Sequence, residues 1–235
     1  MGTFSWKLSD IPLGTEDDSV YISSTTIKNE NKFAWYRFIQ SGYFLGWFMM
    51  ILITTNHVNH WVYLTNWGEA LLTTYFLLAA ITNACLKSGV GEEKTNVLKK
   101  ITSLFQHCSF SVSVTLTVAY WVLLRTELEK PRNWHTHGIN MLLVFVDVIV
   151  TEVPVKMAHL MYTFAVCWAY FSMTLIVYYN STNPKHLEIY ADTLDWGNLP
   201  VKSCILGFGL ILLVIPLFHT LLVALTKLRK KNNKE

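Results

Sequence analysis

The chain has 235 residues, a formal charge of +3 and four cysteines, with 52% hydrophobic and 15% charged residues. A typical soluble domain carries roughly 25% charged residues, so this balance excludes a disordered chain. Four cysteines over such a length exclude a disulfide-stapled mini-protein, and a mean hydropathy of +0.32 is too apolar for a single soluble core of this size to hide.

Residues 1–32 mix Asp10, Glu16, Asp17, Asp18, Lys28 and Glu30 with many Ser and Thr and hold no apolar run, so they do not read as a signal peptide. They are expected to form a cytoplasmic N-terminal segment. Six apolar stretches then follow, each near the roughly 20 residues that cross a hydrocarbon core. They run from about Phe33 to Thr55, Val62 to Leu86, Ile101 to Leu124, His137 to Val155, Met157 to Tyr179, and Val201 to Thr226. The runs are continuous, which excludes a β-barrel. The expectation is an all-α polytopic membrane protein, a bundle of six transmembrane helices over 33–226 with a basic tail at 227–235.

The Lys and Arg bias favours both termini in the cytoplasm. That orientation puts Lys87, Lys94, Lys99, Lys100, Lys156 and the basic tail inside, against Arg125, Lys130, Arg132, Lys185 and Lys202 outside. The sequon Asn180-Ser181-Thr182 then falls outside and is a candidate glycosylation site. The host is the plasma membrane or the endoplasmic reticulum. The outer loop from about Asn180 to Pro200 is expected to be partly ordered on the surface.

Ionisable groups inside hydrocarbon are costly and therefore informative. At about 100° per residue, Asn140, Asp147 and Thr151 share one face of the fourth span with His137. Thr65, Glu69 and Asn83 share a face of the second. Both spans enter from outside, so Thr65 and His137 lie at similar depth. A hydroxyl beside an imidazole is the minimum for nucleophilic catalysis, which makes Thr65 the candidate nucleophile and His137 the candidate base. Asn140, Asp147 and Glu69 are candidate supports. Other readings of the same residues are backbone-bonded Thr, interfacial His, or a transport path through Glu69, Asp147 and Glu152.

His57, His60, His135 and His137 cluster near the outer surface but lack a helical register that closes a zinc site; no metal or cofactor is expected. His107, His159 and His219 read as single histidines within the bundle. Trp47, Trp61, Trp67, Trp121, Trp134 and Trp196 read as an aromatic belt. Gly207-x-Gly209 permits close helix approach. There is no nucleotide-binding glycine pattern and no nucleic-acid footprint, so membrane lipids are the expected partners.

Tyr63-Leu64-Thr65-Asn66-Trp67-Gly68 resembles a segment of the rolling stone family of animal membrane proteins. So do His137-Gly138-Ile139-Asn140 with Asp147, and Pro154-Val155-Lys156 with His159. The resemblance implies a multi-pass protein of the cell surface, with a role in cell contact or myoblast-type fusion. That family is in turn similar to the androgen-induced hydrolases of fatty-acid esters of hydroxy fatty acids, which use an intramembrane Thr and His. Leu64-Thr65-Asn66 and the ten-residue spacing of His137 to Asp147 match their pattern. The distant resemblance thus implies Thr65 as nucleophile and His137 as base on a lipid-ester substrate. Trp134 and Gly138 stand where those hydrolases have a second His and a Thr, and this leaves an oxyanion-stabilising group unassigned.

Overall fold

The computed structural model describes residues 17–54, 61–124, 131–181, 188–190 and 193–232. His57, His60 and Thr182 of the sequon lie outside the described residues, as do residues 1–16 and the last residues of the tail.

The described chain is mostly helical, with one hairpin and an isolated bridge between Ser24 and Thr151. A short helix α1 (Ser19–Ile22) precedes α2 (Glu30–Thr54), α3 (Leu64–Lys87) and α4 (Glu92–Leu124). Helix α5 spans 131–150, α6 is Met157–Asn180, and α7 spans 200–232. The hairpin, β1 (Glu188–Tyr190) and β2 (Leu194–Asp195), pairs antiparallel between α6 and α7. Helices α3, α4, α6 and α7 are each long and apolar enough to cross a membrane. In α2 and α5, Arg37, Gln40, His135, His137 and Asp147 dilute the apolar character, and these side chains are buried in the bundle.

The ends of the helices follow local chemistry. Asn29 Oδ1 accepts from the N–H groups of Asn31 and Lys32 at 2.9 and 3.1 Å, capping α2. Gly89, at φ +68, ends α3: the N–H of Val90 reaches Cys85 O at 3.1 Å and that of Gly89 reaches Leu86 O at 3.3 Å. This left-handed stop is one that glycine takes without strain. Pro200 opens α7 at a position where its missing N–H has no helical acceptor to lose.

Four boundaries differ from expectation: the helix of the fourth span starts at Pro131 rather than His137, that of the last runs to Asn232 rather than Thr226, and two more have local causes. The third span begins at Glu92 rather than Ile101, because Glu92 and Glu93 suit a helix N-terminus and Lys99 pairs with Asp18. The fourth was expected to reach Val155. Its helix stops at Val150; Thr151 is extended and bridges Ser24, and Pro154 disfavours helix in the residue before it.

Helix α4 occupies the centre and packs on α3, α5, α6 and α7. Its inward positions are Thr102, Ser103, Ser109, Ser111, Ser113 and Thr115, all buried. Lipid tails give apolar helices no incentive to associate, so close approach over small side chains does the packing. A Cβ on Gly68 of α3 would meet Leu116 of α4 at 2.7 Å. One apolar cluster joins α2 to α5 and α7 through Phe44, Leu72, Phe76, Phe110, Val144 and Leu222. A second joins α4, α6, α7 and the hairpin through Val112, Cys167, Phe171, Trp196 and Ile211.

The N-terminal segment is not a loose leader over its described part. Tyr21 is buried and its hydroxyl donates to Lys99 O at 3.2 Å, while Asn83 donates to Tyr21 O at 2.9 Å. Thr25 donates to Ile149 O at 2.7 Å. Residues 18–25 thereby tie the ends of α3, α4 and α5 together.

Candidate functional site

Thr65 sits in the first turn of α3, after Tyr63 in extended conformation. His137 lies in a π-helical turn, His135–Ile139, within α5. Both line one cavity of about 100 Å³. Its walls come from one end of α3, α4, α6 and α7 and from the hairpin, and they are almost wholly apolar. Two further π-helical turns, Tyr120–Leu124 in α4 and Leu210–Val214 in α7, supply Tyr120, Leu123, Leu124, Leu210 and Ile211 to the same walls. Such turns are rare and concentrate at functional sites; all three of those described here border this one cavity.

The imidazole of His137 is 6% exposed. Its ring lies flat on Tyr120, with centroids 3.9 Å apart and planes 5° apart. Trp121 Nε1 donates to its carbonyl at 2.7 Å. A catalytic imidazole usually has its second nitrogen tied to a carboxylate or carbonyl. Nδ1 of His137 is buried without a hydrogen-bond partner, so stacking rather than a charge holds the ring.

The hairpin closes one side of the cavity. Tyr190, Thr193 and Leu194 face the cavity, and Trp196 stacks edge-on against Phe171 with centroids 5.1 Å apart. Trp196 Nε1 donates to Thr174 Oγ1 at 3.2 Å. Beneath it, a Cβ on Gly207 would meet Phe171 at 2.3 Å, so this glycine lets α7 approach α6.

The three candidate supports fall into two places, and none is in the cavity wall. Asn140 donates its amide to Glu69 Oε1, and His135 Nδ1 lies 3.9 Å from that oxygen. The His135 ring stacks on Trp47 at 3.6 Å. Asp147 is elsewhere: ten residues along a helix is about 15 Å, and its carboxylate accepts from Arg37, Tyr36 and Tyr75.

Two expectations are corrected. His107 and His159 are not isolated, since their rings meet at 3.9 Å. His219 shares a hydrogen bond of 2.8 Å with Ser111 and one of 3.0 Å with Lys156 O. The tryptophans also divide: Trp61 and Trp134 are exposed, whereas Trp196 is buried under the hairpin. The sequence reading missed Tyr120 and Tyr190, and no motif or spacing points to either.

The profile of the family described as Protein rolling stone matches residues 17–235. The chain belongs to the rolling stone family. It is 27% identical over 218 residues to Protein rolling stone of Drosophila melanogaster, covering 85% of this chain and 78% of that one. No solved structure matches the chain. Family membership and the four apolar helices mark an integral membrane protein.

Proposed function

We propose that the protein crosses the bilayer six times with both termini cytoplasmic, and that its outer cavity binds and cleaves a lipid ester. The substrate class is fatty-acid esters of hydroxy fatty acids. The observation that carries this reading is that Thr65 and His137, far apart in the sequence, line the same apolar pocket. In the reaction, Thr65 Oγ attacks the ester carbonyl while His137 takes its proton. His137 then returns the proton to the leaving alkoxide, and water releases the acid from Thr65. The flat, stacked imidazole supplies orientation, and the dry walls strengthen the electrostatic interactions of the reacting atoms.

The test is turnover of such an ester by purified protein in lipid nanodiscs. Thr65→Ala and His137→Ala are expected to lose at least about a hundredfold, in the range of general acid–base catalysis. Equal turnover in all three proteins removes the pair from the mechanism. The six-span topology is tested by Asn180→Gln: loss of a glycan from Asn180, an exposed residue at the end of α6, is the expected result.

A role in cell-surface contact or myoblast-type fusion is a second reading, supported by the relation to Protein rolling stone. A cell-mixing assay comparing wild type with Thr65→Ala separates it from the enzymatic reading, since only a fusion role that depends on catalysis would fail with the variant.

A further inference from the structure

The cavity has a neighbour. A groove of about 360 Å³ lies between the outer halves of α4 and α7. It is lined by Val118, Val122, Leu123, Gly209, Leu210 and Leu213, among other apolar residues, and by no polar side chain. Ala119, Leu123, Leu206 and Leu210 belong to both the groove and the cavity. The rim residues Val122, Ile205 and Leu213 are 66–73% exposed on the side that faces lipid in a membrane protein: 73%, 66% and 71%.

We infer that this groove is the lateral port through which one acyl chain of a bilayer lipid reaches the cavity. The occupant is a single saturated or unsaturated hydrocarbon chain. A lipid headgroup or a peptide would leave its polar groups unpaired against these walls. The groove shares the side chains of Ala119, Leu123, Leu206 and Leu210 with the wall of the pocket that holds Thr65 and His137, so displacement of these side chains admits a chain lying in the groove, polar end first. Both π-helical turns, Tyr120–Leu124 and Leu210–Val214, border the passage, and the shared side chains Leu123 and Leu210 lie on them. The glycine pair in α7 divides the work. Gly207 is needed for contact with Phe171, whereas a Cβ on Gly209 would meet nothing within 4 Å. Gly209 therefore leaves room in the groove that packing of the bundle does not require.

The substrate's identity rests on the hydrolase reading; the occupancy of the groove does not. The experiment uses a fatty-acid ester of a hydroxy fatty acid carrying a diazirine in mid-chain, photolysed with the full-length protein in nanodiscs. Labelling of residues 118–124 and 205–214 is mapped by mass spectrometry, and turnover of the unlabelled ester is followed in parallel. Wild type and Thr65→Ala are expected to label alike. Gly209→Leu, which fills open space, is expected to cut labelling of cavity residues at least fivefold and slow turnover in step. Gly209→Ala is expected to behave as wild type. Val122→Trp, on the opposite exposed rim, repeats the test without changing a glycine.

Unaltered labelling in both blocking variants overturns the port, even if Thr65→Ala is inactive. Blocked labelling alongside full turnover by Thr65→Ala overturns the Thr/His mechanism and leaves the port standing.

Discussion

Arg37 on α2 and Asp147 on α5 meet inside the bundle, with Nη1 2.9 Å from Oδ1. Both side chains are shut off from the surface. The hydroxyls of Tyr36 and Tyr75 donate to the same carboxylate at 2.9 and 2.6 Å, so its two oxygens are satisfied. Removing one partner strands the other charge, at a cost of about 3–5 kcal/mol. Asp147→Leu and Arg37→Met are each expected to lower stability in detergent by about that much. The double variant is expected to recover most of the loss, because an apolar pair of similar volume leaves no buried charge. Single variants as stable as wild type in thermal unfolding would contradict this account.

This pair also shows what the sequence could and could not display. The polar stripe of the fourth span was visible in the spacing of His137, Asn140 and Asp147, since a helix repeats its faces on a fixed angle. That angle says which residues share a side, but not which helix lies opposite. Asp147 therefore looked like support for His137, whereas Arg37, 110 residues away in sequence, claims it. Pairing Thr65 with His137 needs only their depth, which does not depend on the order of the helices. Tyr190 is out of reach for another reason: its position depends on a two-stranded pairing, Glu188 with Asp195, too short to carry a readable alternation.

Gly207 and Gly209 are predicted to respond in opposite ways to alanine. At Gly207 the new methyl would stand 2.3 Å from Phe171 Cε2, and overpacking of this kind typically costs roughly 1–3 kcal/mol. Phe171 also lines the cavity, so Gly207→Ala is expected to weaken lipid labelling as well as stability. Gly209→Ala meets open space and removes a poor helix former, a gain of up to about 1 kcal/mol. Thermal melts of the two variants in the same detergent check the contrast. Equal shifts would mean that α7 does not lean on α6 at this point.

Asn140 is predicted to matter through Glu69. The carboxylate of Glu69 is 1% exposed and takes the amide of Asn140. Asn140→Leu deletes that donor, and an unsatisfied buried acceptor costs about 1–3 kcal/mol, more when charged. Asn140→Asp sets a second acid against the first, and like charges in one site disfavour ionisation of both. The expected stability order is wild type, then Asn140→Leu, then Asn140→Asp at neutral pH. An Asn140→Asp protein as stable as wild type at pH 7 would remove Glu69 as its partner.

The hairpin that covers the cavity hangs on Asp195. Its Oδ1 accepts from the N–H groups of Gly197 and Asn198 at 3.0 and 2.9 Å, and Oδ2 accepts from the Asn198 amide at 2.9 Å. Its own N–H donates to Ser203 Oγ at 2.9 Å, which joins the loop to α7. Burial pushes the Asp195 carboxyl up, but the hydrogen bonds from Asn198 and Gly197 outweigh it and hold the group below its ordinary value. A carboxyl held low when folded contributes stability that is fully present above its unfolded pKa of about 3.9. That contribution is lost as the pH falls through the folded value. Amide exchange in residues 193–199, corrected for the intrinsic rate, is therefore expected to stay slow at pH 5–7 and to rise below about pH 4. Asp195→Asn removes the titrating group, so its loop should exchange faster than wild type at neutral pH and show no such rise. A wild-type loop with unchanged exchange between pH 5 and pH 3 would mean that other contacts, such as Trp196 against Phe171, hold the cover in place.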